Sequence, residues 1–248
     1  MKLKSRHLLG LEHISNEEIH LILDMAVQLK KILDRPIPKV PTLRGKTVVN
    51  LFYENSTRTR FSFELAEKRL SADMVNFSSS TSSVKKGETL KDTIKNIEAM
   101  KIDMVVMRHG SAGAPHYLTQ HLDAAIINAG DGSHEHPTQA LLDMMTIREK
   151  FGKLEGLNIV IVGDITHSRV ARSNIYGLLA AGARVGICGP KTLIPVEAES
   201  LGVTVYPHIE DAMAEADILN VLRIQLERQK TALFPSLREY RNLFGIYR

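Results

Sequence analysis

Tryptophan is absent from the 248 residues, cysteine occurs once, aromatics make up 5%, and no apolar run is long. The single thiol, Cys188, cannot close an internal disulfide, which fits a reducing compartment. Its expected role is a small core residue in the strand Arg184 to Gly189. No stretch approaches the roughly 18 apolar residues of a membrane helix. The basic start, Met1 to Leu11, holds an apolar stretch too short for a signal peptide, so a cytoplasmic chain with no membrane partner is expected. Net charge is +4 and pI about 9.1, yet there is no long Lys/Arg block and no aromatic-basic alternation, which argues against nucleic acid. Anionic small substrates account better for the arginines.

What is present is an alternation. Ser15-Asn16-Glu17-Glu18 has capping-box spacing and opens a helical period through Ile19, Ile22, Met25, Leu29 and Leu33, ending near Asp34 before Pro36 and Pro38. Apolar runs at 47–53, 73–78, 104–108 and 124–128 then alternate with helical patterns at 58–70, 89–100, 113–120 and 137–150. This predicts an α/β fold with a parallel sheet wrapped by helices. A second cycle starts at Leu157 to Asp164, with a helix through Ala181 and further strands at 184–188, 203–206 and 217–222. The connector Phe151 to Gly156 divides the chain into domains 1–150 and 151–248, each a doubly wound parallel sheet. Ser78 to Ser83 is rich in Ser and Thr and reads as a mobile loop.

In such sheets ligands lie beyond the carboxyl ends of the strands, so the residues there are the candidates. After the first strand comes Ser56-Thr57-Arg58-Thr59-Arg60. It reads either as a simple helix cap or as a phosphate cradle. Two arginines in the first turn favour the cradle, because cations are unfavourable at the positive end of a helix dipole unless an anion is bound. Arg108 ends the third strand, and buried strand ends seldom carry an unpartnered arginine. His136-Pro137-Thr138-Gln139 opens a helix with proline at its first position, making His136 a candidate donor to a carbonyl oxygen. Gly163 to Ser168 begins like a dinucleotide fingerprint but lacks its second and third glycines. Arg169 and Arg223 follow buried strands and suit a dicarboxylate. Lys85-Lys86-Gly87-Glu88 alone reads as a solvated loop, and no metal set has convincing spacing.

Four segments together, Phe52 to Arg60, Lys85 to Thr89, Met107-Arg108-His109 and His136 to Asp143, resemble the aspartate and ornithine carbamoyltransferase superfamily. Arg223-Ile224-Gln225-Leu226-Glu227-Arg228 looks like the aspartate branch; the ornithine branch carries an Asp-x-Trp-x-Ser-Met type sequence there, and this chain has no Trp. The resemblance implies transfer of the carbamoyl group of carbamoyl phosphate to L-aspartate in pyrimidine biosynthesis, without metal or organic cofactor, at an active-site cleft between two domains. It implies that Ser56, Thr57, Arg58 and Thr59 hold the phosphate, that Arg108, Thr59 and His136 polarise the carbamoyl oxygen, and that Gln139 lies near its amide. Lys86, Arg169, Arg223 and Gln225 would bind aspartate. The loop with Ser82 and Lys86 would reach a neighbouring subunit's site, implying a homotrimer, with regulatory chains as candidate partners.

The last residues are Phe244 to Arg248, whereas family members continue with a proline-containing loop, a further strand and a last helix. The resemblance therefore implies an incomplete second domain. Two other readings stay open on the sequence: a carbamoyltransferase-like chain that binds ligand or partner chains without turnover, and a carbamoyltransferase for another amine such as ornithine.

Overall fold

A computed structural model describes residues 3–78, 90–225 and 236–246. They form two compact units, one from Met1–Gly10 and His20–Thr138, the other from Leu11–Ile19 and Gln139–Arg248. Each carries its own four-stranded parallel sheet, as the alternation predicts.

In the first unit, strands β1 (Thr47–Phe52), β2 (Asp73–Ser78), β3 (Met104–His109) and β4 (Ala125–Asp131) lie in the order β2-β1-β3-β4. Helices α2 (Thr57–Leu70), α3 (Leu90–Ala99) and α4 (Ala114–Thr119) are the crossovers. Strand residues alternate between two buried faces. Val49, Leu51, Val105, Met107 and Ile126 pack with Ile94 and Ile97 of α3 and Leu118 of α4. Val48, Phe52, Val106 and Ala129 pack on the other face, with Phe63 of α2 against them. Burying apolar side chains on both faces is what makes β1, β3 and β4 read as apolar runs, whereas the edge strand β2 is more exposed.

Strand β4 is longer than its apolar run suggests, extending to Asp131. The reason is a bulge: Met107 pairs with Asn128 but His109 pairs with Asp131, so β4 carries one extra residue there. Such an insertion re-aims the side chains beyond it, and the polar Asn128 and Asp131 are buried inside the strand rather than following it.

Helix α1 (Asn16–Lys30) starts at the expected box: the Ser15 Oγ accepts from the Glu18 amide and the Glu18 carboxylate accepts from the Ser15 amide, both at 3.3 Å. It tightens into a 3-10 turn at Lys31–Asp34 before the prolines.

In the second unit, β5 (Asn158–Val162), β6 (Arg184–Cys188), β7 (Thr204–Tyr206) and β8 (Ile218–Val221) lie in the order β7-β6-β5-β8. Every residue of β5 is buried. Helices α5 (Pro137–Phe151), α6 (Arg169–Ala180), α7 (Ile209–Glu215) and α8 (Leu237–Phe244) contribute to it, with 3-10 turns at Lys191–Leu193 and Ala198–Leu201. Cys188 is fully buried among Val160, Val162, Tyr206, Ile209 and Ala212, and burial pushes its thiol up to about 11, with Glu210 and Asp211 adding to the shift. That thiol is an inert core group, as expected.

One buried carboxyl has a measurable consequence. Glu67 of α2 faces the sheet at 5% exposure, where Asn50 Nδ2 donates to it at 2.8 Å. Burial raises its pKa, Glu64 adds to the rise, and the Asn50 bond opposes it. With a folded pKa above the unfolded one, the native state is favoured at low pH, and that stability is lost as pH rises through the folded pKa. Glu67→Gln keeps an acceptor for Asn50 and removes the ionisation. Its melting temperature should exceed the parent's by about 2–4 °C at pH 8, about 1 kcal/mol for a chain this size. The gap should close at a pH below the ordinary value of 4.5. Calorimetry across that range checks it, and a pH-independent gap counts against a raised carboxyl.

Candidate functional site

Both sheets reverse direction at a definite place. From β1 the chain goes outward to β2, then returns to lay β3 on the other side of β1. From β5 it goes out through β6 and β7, then returns to lay β8 on the other side of β5. A crevice opens at the carboxyl ends of strands flanking such a switch point. Ser56 to Thr59 and Arg108 lie at the first of these places and Arg223 and Gln225 at the second, whereas His136 and Gln139 follow the edge strand β4.

At the first switch point, β1 leads through Tyr53 to Asn55 into α2. Ser56 is the N-cap, but its hydroxyl makes no capping hydrogen bond. It therefore remains available to a ligand together with the free amides of the first turn. That turn holds Arg58 and Arg60 and no acidic residue, so it is strongly electropositive. The two arginines differ. Arg60 Nε lies 3.3 Å from Glu64 one turn on, whereas Arg58 and Thr57 are exposed and Thr59 is half-buried.

Across the switch point, Phe52 of β1 pairs with Arg108 of β3. The Arg108 side chain is 13% exposed, with Nε 3.3 Å from a Glu54 carboxylate oxygen. Its Nη1 donates to the Ala129 carbonyl of β4 at 3.1 Å, and its own carbonyl accepts from the Tyr53 amide at 2.9 Å. One guanidinium thus ties the ends of three adjacent strands. Its neighbour His109 packs edge-on against Tyr53, ring centres 5.0 Å apart.

His136 directly precedes Pro137, the first residue of α5, and is 6% exposed. The Thr138 hydroxyl lies 3.4 Å from its Nδ1. In the second unit, Gln139 donates through Nε2 to Asp143 at 2.9 Å, and Asn174 of α6 donates to the other Asp143 oxygen at 2.8 Å. Burial raises the Asp143 pKa, while bonds from Asn174, Gln139 and Asn220 oppose the rise. With its amide nitrogen committed to Asp143, Gln139 presents its carbonyl oxygen as the acceptor.

At the second switch point the fully buried Asp164 follows β5. One oxygen accepts from the His167 amide at 3.2 Å and lies 2.8 Å from His167 Nδ1; the other accepts from the Gln225 amide at 3.4 Å. Gly189 is required here, since a side chain would meet the Gly163 carbonyl at 2.4 Å. Ser168 caps α6 through its hydroxyl, and Arg169, 2% exposed, is the first helical residue. Arg223 and Gln225 follow β8, linked by a 3.4 Å contact from Arg223 Nη2 to Gln225 Oε1 and a 3.3 Å bond from Gln225 Nε2 to the Arg223 carbonyl.

The first sheet therefore gathers Ser56 to Thr59 and Arg108 at one switch point, and the second gathers Asp164, Arg223 and Gln225 at another. Ser82 and Lys86 lie outside the described residues. Glu54, Asp131, Asp143 and Asp164 were not assigned roles from sequence. For Glu54, Asp131 and Asp164 the available signal is a carboxylate at, or within two residues of, the end of an apolar strand; Asp143 lies inside helix α5 and has no such signal.

Comparison with known proteins gives one family. The carbamoyl-phosphate-binding-domain model of aspartate/ornithine carbamoyltransferases matches residues 6–149. The aspartate carbamoyltransferase catalytic subunit of Syntrophotalea carbinolica is 59% identical over 246 residues, 99% of this chain and 79% of that one. That of Desulforamulus reducens is 62% identical over 241 residues, 97% and 77% respectively. Among solved structures, the Trypanosoma cruzi aspartate transcarbamoylase bound to carbamoyl phosphate superposes with a TM-score of 0.83 at 31% identity, covering 93% of this chain and 75% of that one. The catalytic subunit of M. jannaschii aspartate transcarbamoylase gives 0.81 at 37%, covering 96% and 79%. The chain belongs to the aspartate/ornithine carbamoyltransferase family, among its aspartate carbamoyltransferase catalytic subunits.

Proposed function

We propose that the chain transfers the carbamoyl group of carbamoyl phosphate to the amine of L-aspartate, giving N-carbamoyl-L-aspartate and phosphate for pyrimidine synthesis. One observation carries this reading: Arg108, anchored to both neighbouring strands, stands at the switch point beside the strand that leads into the Ser56 to Thr59 turn.

The deprotonated amine attacks the planar carbonyl carbon. A C–N bond forms, the C–O bond to phosphate breaks, and the departing phosphate accepts the amine proton. Negative charge grows on the carbamoyl oxygen and on the leaving group, so fixed donors aimed at both supply most of the acceleration. Ser56, Thr57, Arg58 and Thr59 take the phosphate. Arg108, Thr59 and His136 take the carbonyl oxygen, and the Gln139 carbonyl suits the carbamoyl NH2. Arg169, Arg223 and Gln225 take the aspartate carboxylates, and holding both reactants in line removes much of the entropic barrier.

The wider reading is a cytoplasmic homotrimer in which Ser82 and Lys86 of a neighbouring copy complete each site, with regulatory chains as further partners. No helix among the described residues is long and apolar enough to cross a membrane.

The test is turnover with carbamoyl phosphate and either L-aspartate or L-ornithine. Carbamoyl-aspartate should form, and ornithine should be a poor acceptor because its side-chain cation meets Arg169 and Arg223. Product from ornithine alone would overturn the acceptor assignment. Tight binding of N-(phosphonacetyl)-L-aspartate without any product would make this a silent binding chain.

A further inference from the structure

The carboxylate of Asp131, at the bulged end of β4, has no part in the chemistry above and is fully buried. It accepts from the Gly113 amide at 2.7 Å, from Asn128 Nδ2 at 2.8 Å and from the Glu135 amide at 3.1 Å, and His134 Nδ1 lies 3.1 Å from Oδ2. Its main chain joins in: the Asp131 amide donates to the Glu135 carbonyl at 3.1 Å, and the His134 amide donates to the Asp131 carbonyl at 2.9 Å.

These partners come from two loops. Gly113 ends the segment that follows Arg108-His109 and caps α4, while His134 and Glu135 directly precede His136. The loops also touch. The Gly132 amide donates to the His109 carbonyl at 2.9 Å, and Gly132, at φ +48°, leaves no room for a side chain, which would meet the Ala112 nitrogen at 2.9 Å. Arg108 itself donates to Ala129, two residues before Asp131.

A buried carboxylate is costly to desolvate unless its acceptor sites are filled. Here they are filled by backbone amides of two separate loops, which an apolar residue could not hold. From this we infer that Asp131 is a positioning residue for carbamoyl transfer, clamping the Arg108 and His136 loops into one fixed arrangement; the inference rests on the reaction proposed above. A clamp of this kind acts on the barrier rather than on binding, because the two donors must converge on the oxygen only as its charge develops.

Asp131→Asn tests it. The side chain keeps its shape, but the amide nitrogen cannot accept, so either Gly113 or the Asn128–Glu135 side loses its acceptor. With sites counted by titration with N-(phosphonacetyl)-L-aspartate, kcat per site should fall about 100-fold. The KM for L-aspartate and the inhibition constant of inorganic phosphate should stay within about threefold. An unchanged kcat per site, or a loss shared equally by phosphate affinity, would overturn the inference. If that variant does not fold, His134→Ala removes one arm of the clamp at a side chain 25% exposed. It should lower kcat per site by about fivefold, and no change would equally overturn the inference. A parent chain that forms no carbamoyl-aspartate would sink the reaction assignment and this inference together. A parent with full turnover beside fully active variants would sink the inference alone.

Discussion

Replacing Arg108 by alanine should lower kcat/KM by about 1,000-fold, the upper range for removing one donor to a developing oxyanion. Three interactions are lost together: the 3.3 Å pair with Glu54, the 3.1 Å bond to the Ala129 carbonyl, and the cation itself. Glu54 would then lose the Arg108 cation beside the Ser56 to Thr59 turn, and its carboxylate would oppose the incoming phosphate. Arg108→Lys should recover little, because an ammonium is a point charge and cannot hold Glu54 and Ala129 while donating to substrate. Steady-state kinetics separate the roles. A fall mainly in kcat places Arg108 at the transition state, whereas a rise in KM with kcat intact makes it a ground-state binder and overturns the oxyanion role.

The elements were legible wherever one side-chain period sufficed. β5 and β6 are apolar runs of buried strand, and these two and the more exposed edge strand β2 each lie within a residue or so of the run that predicts them. The Ser15–Glu18 box is legible because its two reciprocal bonds are local. Partners distant in sequence were not legible. Glu54 and Arg108 are 54 positions apart, and Asp143 and Asn174 are 31 apart; nothing in either segment names the other. The end of β4 escaped for a different reason. Its bulge places polar Asn128 and Asp131 inside a strand, where apolar patterning stops giving a signal although the backbone pairing continues. The short helix α7 (Ile209–Glu215) and helix α8 (Leu237–Phe244) have no counterpart among the helices that the sequence predicts. The general lesson concerns carboxylates at strand ends: Asp131 and Asp164 gather donors from neighbouring loops and Glu54 pairs with Arg108 of the adjacent strand, and each is a single residue in the sequence.

Arg58→Ala should weaken inorganic phosphate by about 10- to 100-fold, since a hydrogen bond to a charged group contributes about 1.5–3 kcal/mol. The effect on turnover should be larger, about 1,000-fold in kcat/KM for carbamoyl phosphate, because charge on the leaving phosphate grows as the C–O bond breaks. Arg60 supplies the control. It shares the helix turn and the charge, but its guanidinium is held by Glu64 at 3.3 Å and lies over the Phe61 ring. Arg60→Ala should therefore change phosphate affinity by no more than about threefold, the loss of one screened charge. Titration calorimetry with inorganic phosphate on both variants decides between two accounts of the turn. If Arg58 and Arg60 contribute equally, the turn acts only as a positive surface and the specific cradle is wrong. If Arg58 alone matters, the unused Ser56 hydroxyl and the free amides of the first turn give the guanidinium a defined anion to complete.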